Sequence, residues 1–396
     1  MEFGIFQSAH VPKQDTEEAW RAREHERILD EVAMAEIADR TSFKYAWLTE
    51  HHFLEEYSHL SASEVFGGFL AARTKRLHIG SGIWNLTPPV NAPARIAERV
   101  AMMDHLSEGR FEFGVGRGSS STEYQGFGIP DGDTTRAMIE ETLPEILRMM
   151  RPGRYRHQGR WFSMPERLVL PKPYTQPHPP LWIACGSPST FEKAGRLGLG
   201  ALCFTIGPPE VLAPLIETYK KAIREAEPVG GYVNDNVACV SRLLCLEDGD
   251  EARRTACDMR SGYYQSLVFR WLDSIQRPPG IPEWPALIPE PDLDAIREQV
   301  AQGLLCAGDP EDCARGVQRY VDIGCDQLIF GVLASSLDRE TAGRSLETFG
   351  RQVIPRFDRD PVHSTTRQRE AQLGAPASVL RPRTARPDST RSSLPT

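Results

Sequence analysis

Residues 46–53 read Ala-Trp-Leu-Thr-Glu-His-His-Phe, setting a carboxylate, Glu50, beside two imidazoles, His51 and His52, at the end of a short apolar run. Imidazole titrates near neutrality, so a histidine at such a place suits general acid–base work. Successive residues of an extended chain point to opposite sides, so at most one of the pair faces a ligand directly and the other is structural. Taken alone, either histidine is equally well explained as a satisfied surface or cap residue. A zinc site would need further ligands at suitable spacing, and the neighbouring segments supply none, so no metal is expected.

Two other segments offer anion chemistry. Residues 109–120, GRFEFGVGRGSS, combine small residues at a strand end with Arg117, whose guanidinium can fork onto phosphate oxygens. Gly114, Gly116 and Gly118 are spaced G-x-G-x-G on the fourth strand, and no acidic strand end follows at the dinucleotide-binding interval, so this is not a nicotinamide fingerprint. Residues 185–192, CGSPSTFE, place Gly186, Ser187 and Thr190 before a helix, where hydroxyls and free amides can hold an anion; an ordinary serine cap with proline in the first turn fits the same residues. Ser81 and Gly82, in Ile-Gly-Ser-Gly-Ile-Trp-Asn, could lie beneath a planar ring or simply allow close strand–helix packing.

The elements that must position these groups alternate. Apolar runs predict strands over Glu2–Gln7, Tyr45–Thr49, Leu77–Gly82, Phe111–Val115, Leu181–Ala184, Gly200–Phe204, Val237–Cys245 and Gln327–Gly331, with helical periodicity between them. Ile28, Val32 and Ala35 share one helix face; Ile96, Val100 and Met103 share another that Gly109 would close, and Asp309-Pro310-Glu311-Asp312 starts a third. Eight repeats of this kind predict an α/β fold, a (β/α)8 TIM barrel, with catalytic groups at the strand C-termini. Residues 153–180, a hairpin and an extended arm, and the proline-rich 276–292 predict insertions in strand-to-helix connections, the second a lid. Their aromatics Trp161, Phe162, Trp271 and Trp284 would suit an apolar substrate or merely pack the lid. The barrel domain is expected over residues 1–358, and 359–396, rich in Arg, Pro, Ser and Thr, as a disordered tail.

The net charge of −8 gives no footprint for nucleic acid or an anionic membrane, which leaves a diffusible small molecule as partner. No apolar run approaches the ~20 residues of a membrane span and Met1 to Phe6 is no signal peptide, so a cytoplasmic protein is expected. The eight cysteines form no Cys-x-x-Cys and read as buried free thiols.

Together, WLTEHHF (47–53), ARTKRLHIGSG (72–82), MMDHLSEGRFEFGVGRGSS (102–120) and PLWIACGSPSTFEKAGRLG (180–198) make the chain resemble the bacterial-luciferase-like flavin monooxygenase family, from Met1 to about Phe357. The resemblance implies reduced FMN lying across the strand ends, delivered by a separate flavin reductase. Its reaction with O2 would give a flavin hydroperoxide that oxygenates a small, apolar organic substrate. It further implies His51 as catalytic acid/base flanked by Glu50 and His52, Arg117, Ser187 and Thr190 at the phosphate, and a homodimer. Gly116 departs from luciferase proper, which has a cysteine there, and this weakens any claim to light emission. Deazaflavin-dependent relatives usually carry aspartate before a single histidine, so Glu50-His51-His52 favours FMN. A deazaflavin-dependent hydride-transfer oxidoreductase and a non-catalytic flavin-binding subunit are the alternatives.

Overall fold

The computed structural model describes residues 1–333 and 336–374. Eight parallel strands close a barrel: β1 (Glu2–Gln7), β2 (Tyr45–Leu48), β3 (His78–Ser81), β4 (Phe111–Gly116), β5 (Leu181–Ala184), β6 (Gly200–Phe204), β7 (Val237–Ser241) and β8 (Gln327–Phe330). Each pairs with the next, and β8 returns to β1 from Glu2↔Gln327 to Ile5↔Phe330. After the first six strands come α1 (Glu17–Arg40), α2 (Ser63–Arg73), α3 (Pro93–Leu106), α4 (Ser121–Gly126), α5 (Gly132–Met150), α6 (Pro188–Arg196) and α7 (Ala213–Ala222). The β7-to-β8 connection carries α8 (Gly249–Cys257), α9 (Ser261–Trp271), α10 (Leu293–Ala301) and α11 (Pro310–Asp322). Beyond β8 come α12 (Arg339–Gln352), α13 (Ile354–Phe357) and α14 (Ser364–Leu373). As the α/β reading expects, this is a (β/α)8 TIM barrel.

Local chemistry accounts for the boundaries. Asp309 caps α11 through the N–H groups of Glu311 and Asp312, with Pro310 at the first helical position. At α3 the stop falls earlier than expected: the helix ends at Leu106, and both Glu108 (φ 55) and Gly109 (φ 85) turn left-handed before the Gly109 N–H returns to Asp104. The expected strand Val237–Cys245 divides at Arg242. Its second half, Leu243–Cys245, leaves the barrel and pairs with Cys306–Gly308, a three-residue strand too short and too small in side chain to announce itself.

Inside, the barrel is filled in layers. Glu2, Tyr45, His78, Glu112 and Gln327 occupy the base; above them Trp47 and Trp182 meet edge to face with centroids 5.1 Å apart. Glycine makes room for each indole: a Cβ on Gly80 would stand 2.3 Å from the Trp47 ring, and one on Gly200 2.4 Å from Trp182. Removing an indole of this size from water is worth on the order of 4–6 kcal/mol as an upper bound. The top layer, Phe6, Ala184, Leu202, Phe204 and Val240, is apolar and only partly covered.

Two expectations about the additions move. Tyr155–Gln158 and Ser163–Arg167 do form the hairpin, but in the connection from α5 to β5, where Glu141 of α5 accepts the N–H groups of Arg160 and Trp161. This is a helix-to-strand connection, so Trp161 and Phe162 are not mouth residues; composition marks an insertion without saying which end of the barrel receives it. The folded chain also runs past the expected 358/359 boundary. Ser364 donates to Glu2 (2.6 Å), Thr365 donates to Glu112 (2.7 Å), and the His363 ring stacks on His78 with centroids 3.5 Å apart, so α14 plugs the barrel base. Polar residues are buried here against a polar layer, which a search for apolar periodicity misses. The remainder of the expected tail, 375–396, lies outside the described residues.

The plug fixes a pH dependence. Burial pushes Glu112 up to about 8, against the Trp182 and Thr365 hydrogen bonds that favour its charged form. A carboxyl raised in the folded state contributes stability fully present below its unfolded value and lost as pH rises through about 8. In urea titrations between about pH 5 and about pH 9, wild type should therefore lose stability relative to Glu112→Gln, the difference levelling off at the alkaline end. Parallel curves would remove Glu112 from the pH response.

Candidate active site at the strand C-termini

Beyond β2 the chain doubles back, the His51 N–H reaching Leu60 O (3.3 Å), and the histidines diverge as the extended-chain argument expects. His51 Nδ1 lies 3.0 Å from Glu123 Oε1, and the same oxygen accepts the His52 backbone N–H at 3.0 Å. His52 Nε2 turns the other way, to Glu50 Oε1 at 3.0 Å. Glu50 in turn accepts Asn91 Nδ2 (2.7 Å) and the Asn85 N–H (3.3 Å), and Arg99 donates to Asn91 Oδ1 (2.8 Å). The His52 ring meets Phe127 edge-on at 5.0 Å. His51, half-buried, faces Tyr57 edge-on at 5.4 Å. Burial pushes the Glu123 carboxyl up, but its hydrogen bond and charge attraction to His51 outweigh this and hold it below the usual range.

The anion-binding candidates leave the sheet side by side, because Val115 of β4 pairs with Ile183 of β5 and paired strands run about 5 Å apart. Arg117 donates from Nη1 to Gly132 O (3.2 Å) and Thr135 Oγ1 (3.0 Å). Those are its hydrogen bonds among the described residues, so Nε and Nη2 remain for a ligand. The α6 start differs from expectation: Thr190 Oγ1 already accepts the Gly186 and Ser187 N–H groups (3.1 and 3.0 Å), so those amides are not free. The outward polar atoms are instead the hydroxyls of Ser187 and Ser189, 3.1 Å apart. A Cβ on Gly186 would meet nothing within 4 Å, whereas one on Gly116 would strike Ile83 at 2.5 Å. Ser81 is buried, its hydroxyl bonded to both the O and the N–H of Gly114 (2.8 and 2.9 Å); Gly82 sits against Trp47. Gly116, Ser81 and Gly82 therefore shape the rim from within, and Arg117, Gly186, Ser187 and Ser189 face outward.

A roof comes from the β7-to-β8 connection. Tyr264 of α9 stacks on Tyr57 (5.7 Å) and meets His10 edge-on (5.0 Å), while Tyr263 donates to Glu56 (2.8 Å). Asp273 accepts the Ser121 N–H, and the Ser274 N–H reaches Ser119 O (3.3 Å). The Arg270 guanidinium lies over Trp271 (4.1 Å) and over Trp284 (4.4 Å) of the 276–292 insertion. The insertion thus packs down through Trp284 against the apolar cluster that contains Tyr57. Burial lowers His10 to about 4, keeping it neutral. Sequence reading missed Glu123, Asn91, Tyr57, Tyr264 and His10. Only Glu123, an acid just beyond the Arg117 loop, gave any signal.

Residues 1–327 match the family model described as luciferase-like monooxygenase. The chain belongs to this family. Limonene 1,2-monooxygenase of Rhodococcus erythropolis is 28% identical over 335 residues, covering 84% of this luciferase-like chain and 82% of the relative. The FMN complex of the oxygenating constituent of 3,6-diketocamphane monooxygenase from Pseudomonas putida shares the fold with TM-score 0.73 and 19% identity, over 91% of this chain and 99% of that one. An F420-dependent secondary alcohol dehydrogenase shares it with TM-score 0.65 and 19% identity, over 90% and 99%. Among the described residues no group of three or more His, Cys, Asp or Glu side chains could hold a metal ion, and no helix is long and apolar enough to cross a membrane.

The Glu50–Asn91–Arg99 chain can be tested by stability. Asn91→Leu keeps the volume but strips a donor from Glu50 and an acceptor from Arg99. It should cost about 1–3 kcal/mol, read as a lower urea midpoint at unchanged slope. An unmoved midpoint would show that Glu50 is satisfied without it.

Proposed function

We propose that this protein is the oxygenase of a two-component flavin system in the cytoplasm, taking reduced FMN from a separate reductase and adding one atom of O2 to a small apolar organic substrate. The observation that carries this reading is the position of His51. It stands at the rim of an apolar barrel mouth, oriented by Glu123, with the outward polar groups of Arg117, Ser187 and Ser189 on neighbouring loops. Phe6, Leu202 and Val240 would offer a flavin ring an apolar surface, those polar groups would hold its phosphate, and the uncrowded Gly186 leaves backbone room beside them.

Bound reduced flavin supplies the two electrons that let one oxygen atom enter the substrate while the other leaves as water. Arg117 neutralises and anchors the phosphate, with the Ser187 and Ser189 hydroxyls beside it. His51 takes a proton from, or returns one to, the reacting groups through the nitrogen that Glu123 leaves free. His52 serves the site by holding Glu50 and the loop. Tyr57, Tyr264 and Trp284 of the insertion exclude water and give the substrate an apolar wall. Two-component supply fits the description of the Pseudomonas putida relative as an oxygenating constituent.

Photoreduced FMN, O2 and a panel of terpenoid and cyclic ketone substrates should yield oxygenated product from the single purified chain. His51→Ala should retain flavin affinity and lose about 100-fold or more in product formation. Saturable binding of reduced F420 but not of reduced FMN would replace this reading by hydride transfer, and unchanged product formation in His51→Ala would remove His51 from the chemistry.

A homodimer completes the proposal. Val65 and Phe69 on α2, and Met102 and Leu106 on α3, each four residues apart, expose apolar side chains on two neighbouring helices. A second copy covers them by two-fold symmetry. Sedimentation should show a dimer for wild type and a monomer for Phe69→Glu; a wild-type monomer would refute the dimer.

A further inference from the structure

We infer that Glu123 is a positioning residue that fixes His51 as the Nδ1–H tautomer, so that the histidine enters each turnover as a proton acceptor at Nε2. This rests on the reading of His51 as the acid/base group. An ionised carboxylate accepts hydrogen bonds and cannot donate one. With Glu123 Oε1 3.0 Å from His51 Nδ1, the hydrogen of a neutral imidazole must therefore sit on Nδ1, and the lone pair on Nε2 is left for the mouth. His52 is fixed in the opposite sense, because Glu50 lies 3.0 Å from its Nε2. Two adjacent histidines thus carry opposite tautomers, each set by its own carboxylate, and one presents a base to the site.

Several features hold Glu123 to this task. Its carboxylate is 3% exposed, and Oε1 is also pinned by the His52 N–H, so the oxygen that orients the ring is tied to the loop that carries the ring. Oε2 is buried with no hydrogen-bond partner among the described residues, so no second donor draws the charge away from His51. The His51 ring also meets the Tyr57 ring, with Tyr264 stacked behind it, and neither tyrosine carries a competing charge. When a proton arrives at Nε2 the imidazolium that forms is balanced by Glu123, and the same proton is available for return later in the cycle. The carboxylate acts through the histidine alone.

The test uses the full chain labelled with 15N-histidine. Two-bond proton–nitrogen spectra distinguish the tautomers, and the His51 signals are assigned by their loss in His51→Asn. Wild type should show His51 with Nδ1 protonated and Nε2 bare. Glu123→Gln, whose amide can donate as well as accept, should give a mixture or the reverse form. In turnover with reduced FMN, Glu123→Gln should lower kcat about ten- to a hundredfold with flavin affinity nearly unchanged, and Glu123→Asp should keep the tautomer and recover part of the rate. A wild-type His51 protonated at Nε2, a spectrum unchanged by Glu123→Gln, or a Gln variant as fast as wild type would each overturn the inference. Should wild type oxygenate nothing, the functional reading falls while the spectra still decide the tautomer.

Discussion

Everything at the mouth of this barrel rests on how its middle is filled. Trp47 and Trp182 occupy the interior edge to face, and they fit because Gly80 and Gly200 surrender the volume their side chains would have taken. A packed interior is incompressible on the scale of a methyl group, so these contacts set the spacing of β2, β3, β5 and β6. The strand ends that carry Glu50, Ser81, Gly186 and Phe204 are placed as a consequence. The same layer separates two chemically different ends: below it lies a polar base closed by α14, above it an apolar surface that nothing among the described residues fully covers.

That separation explains why the carboxylates at the two ends behave differently. Glu112 is enclosed, and burial pushes its proton affinity up. Glu123 is also enclosed, yet its contacts with His51 prevail and hold it below the usual range. Burial sets the scale of the effect in both, and the available partner sets its direction. The barrel mouth thus combines a rigid floor, a histidine held by a carboxylate and a roof in which Tyr264 of α9 stacks on Tyr57.

Much of this is legible in the sequence because a parallel barrel strand is buried on both faces and reads as a short apolar run. β1, β5 and β6 are read to the residue for that reason, and Asp309-Pro310 marks α11 because cap chemistry is local. The misreadings share a cause. Arg242, α14 and the 153–180 hairpin owe their places to partners distant in the chain: Gln299, Glu2 and Glu141. At the site, residue type alone marks the histidines and Arg117. Glu123 is one acid among many, 72 residues from His51, and its role exists only once β2 and β4 have brought the loops together. The amides of Gly186 and Ser187 were misjudged because a threonine hydroxyl three or four residues on can satisfy them as well as an anion can.

The polar plug carries a consequence for biosynthesis. β1 is made more than three hundred residues before its edge partner β8, and the groups that satisfy Glu2 and Glu112 from α14 come later still. Until then the nascent chain holds an open sheet edge and unsatisfied acids at its base, the surfaces on which partly made chains associate wrongly. A barrel closed at its base by α14 cannot finish folding until that helix has been made. Its yield in a cell depends on how well those edges are shielded between the synthesis of β1 and that of α14.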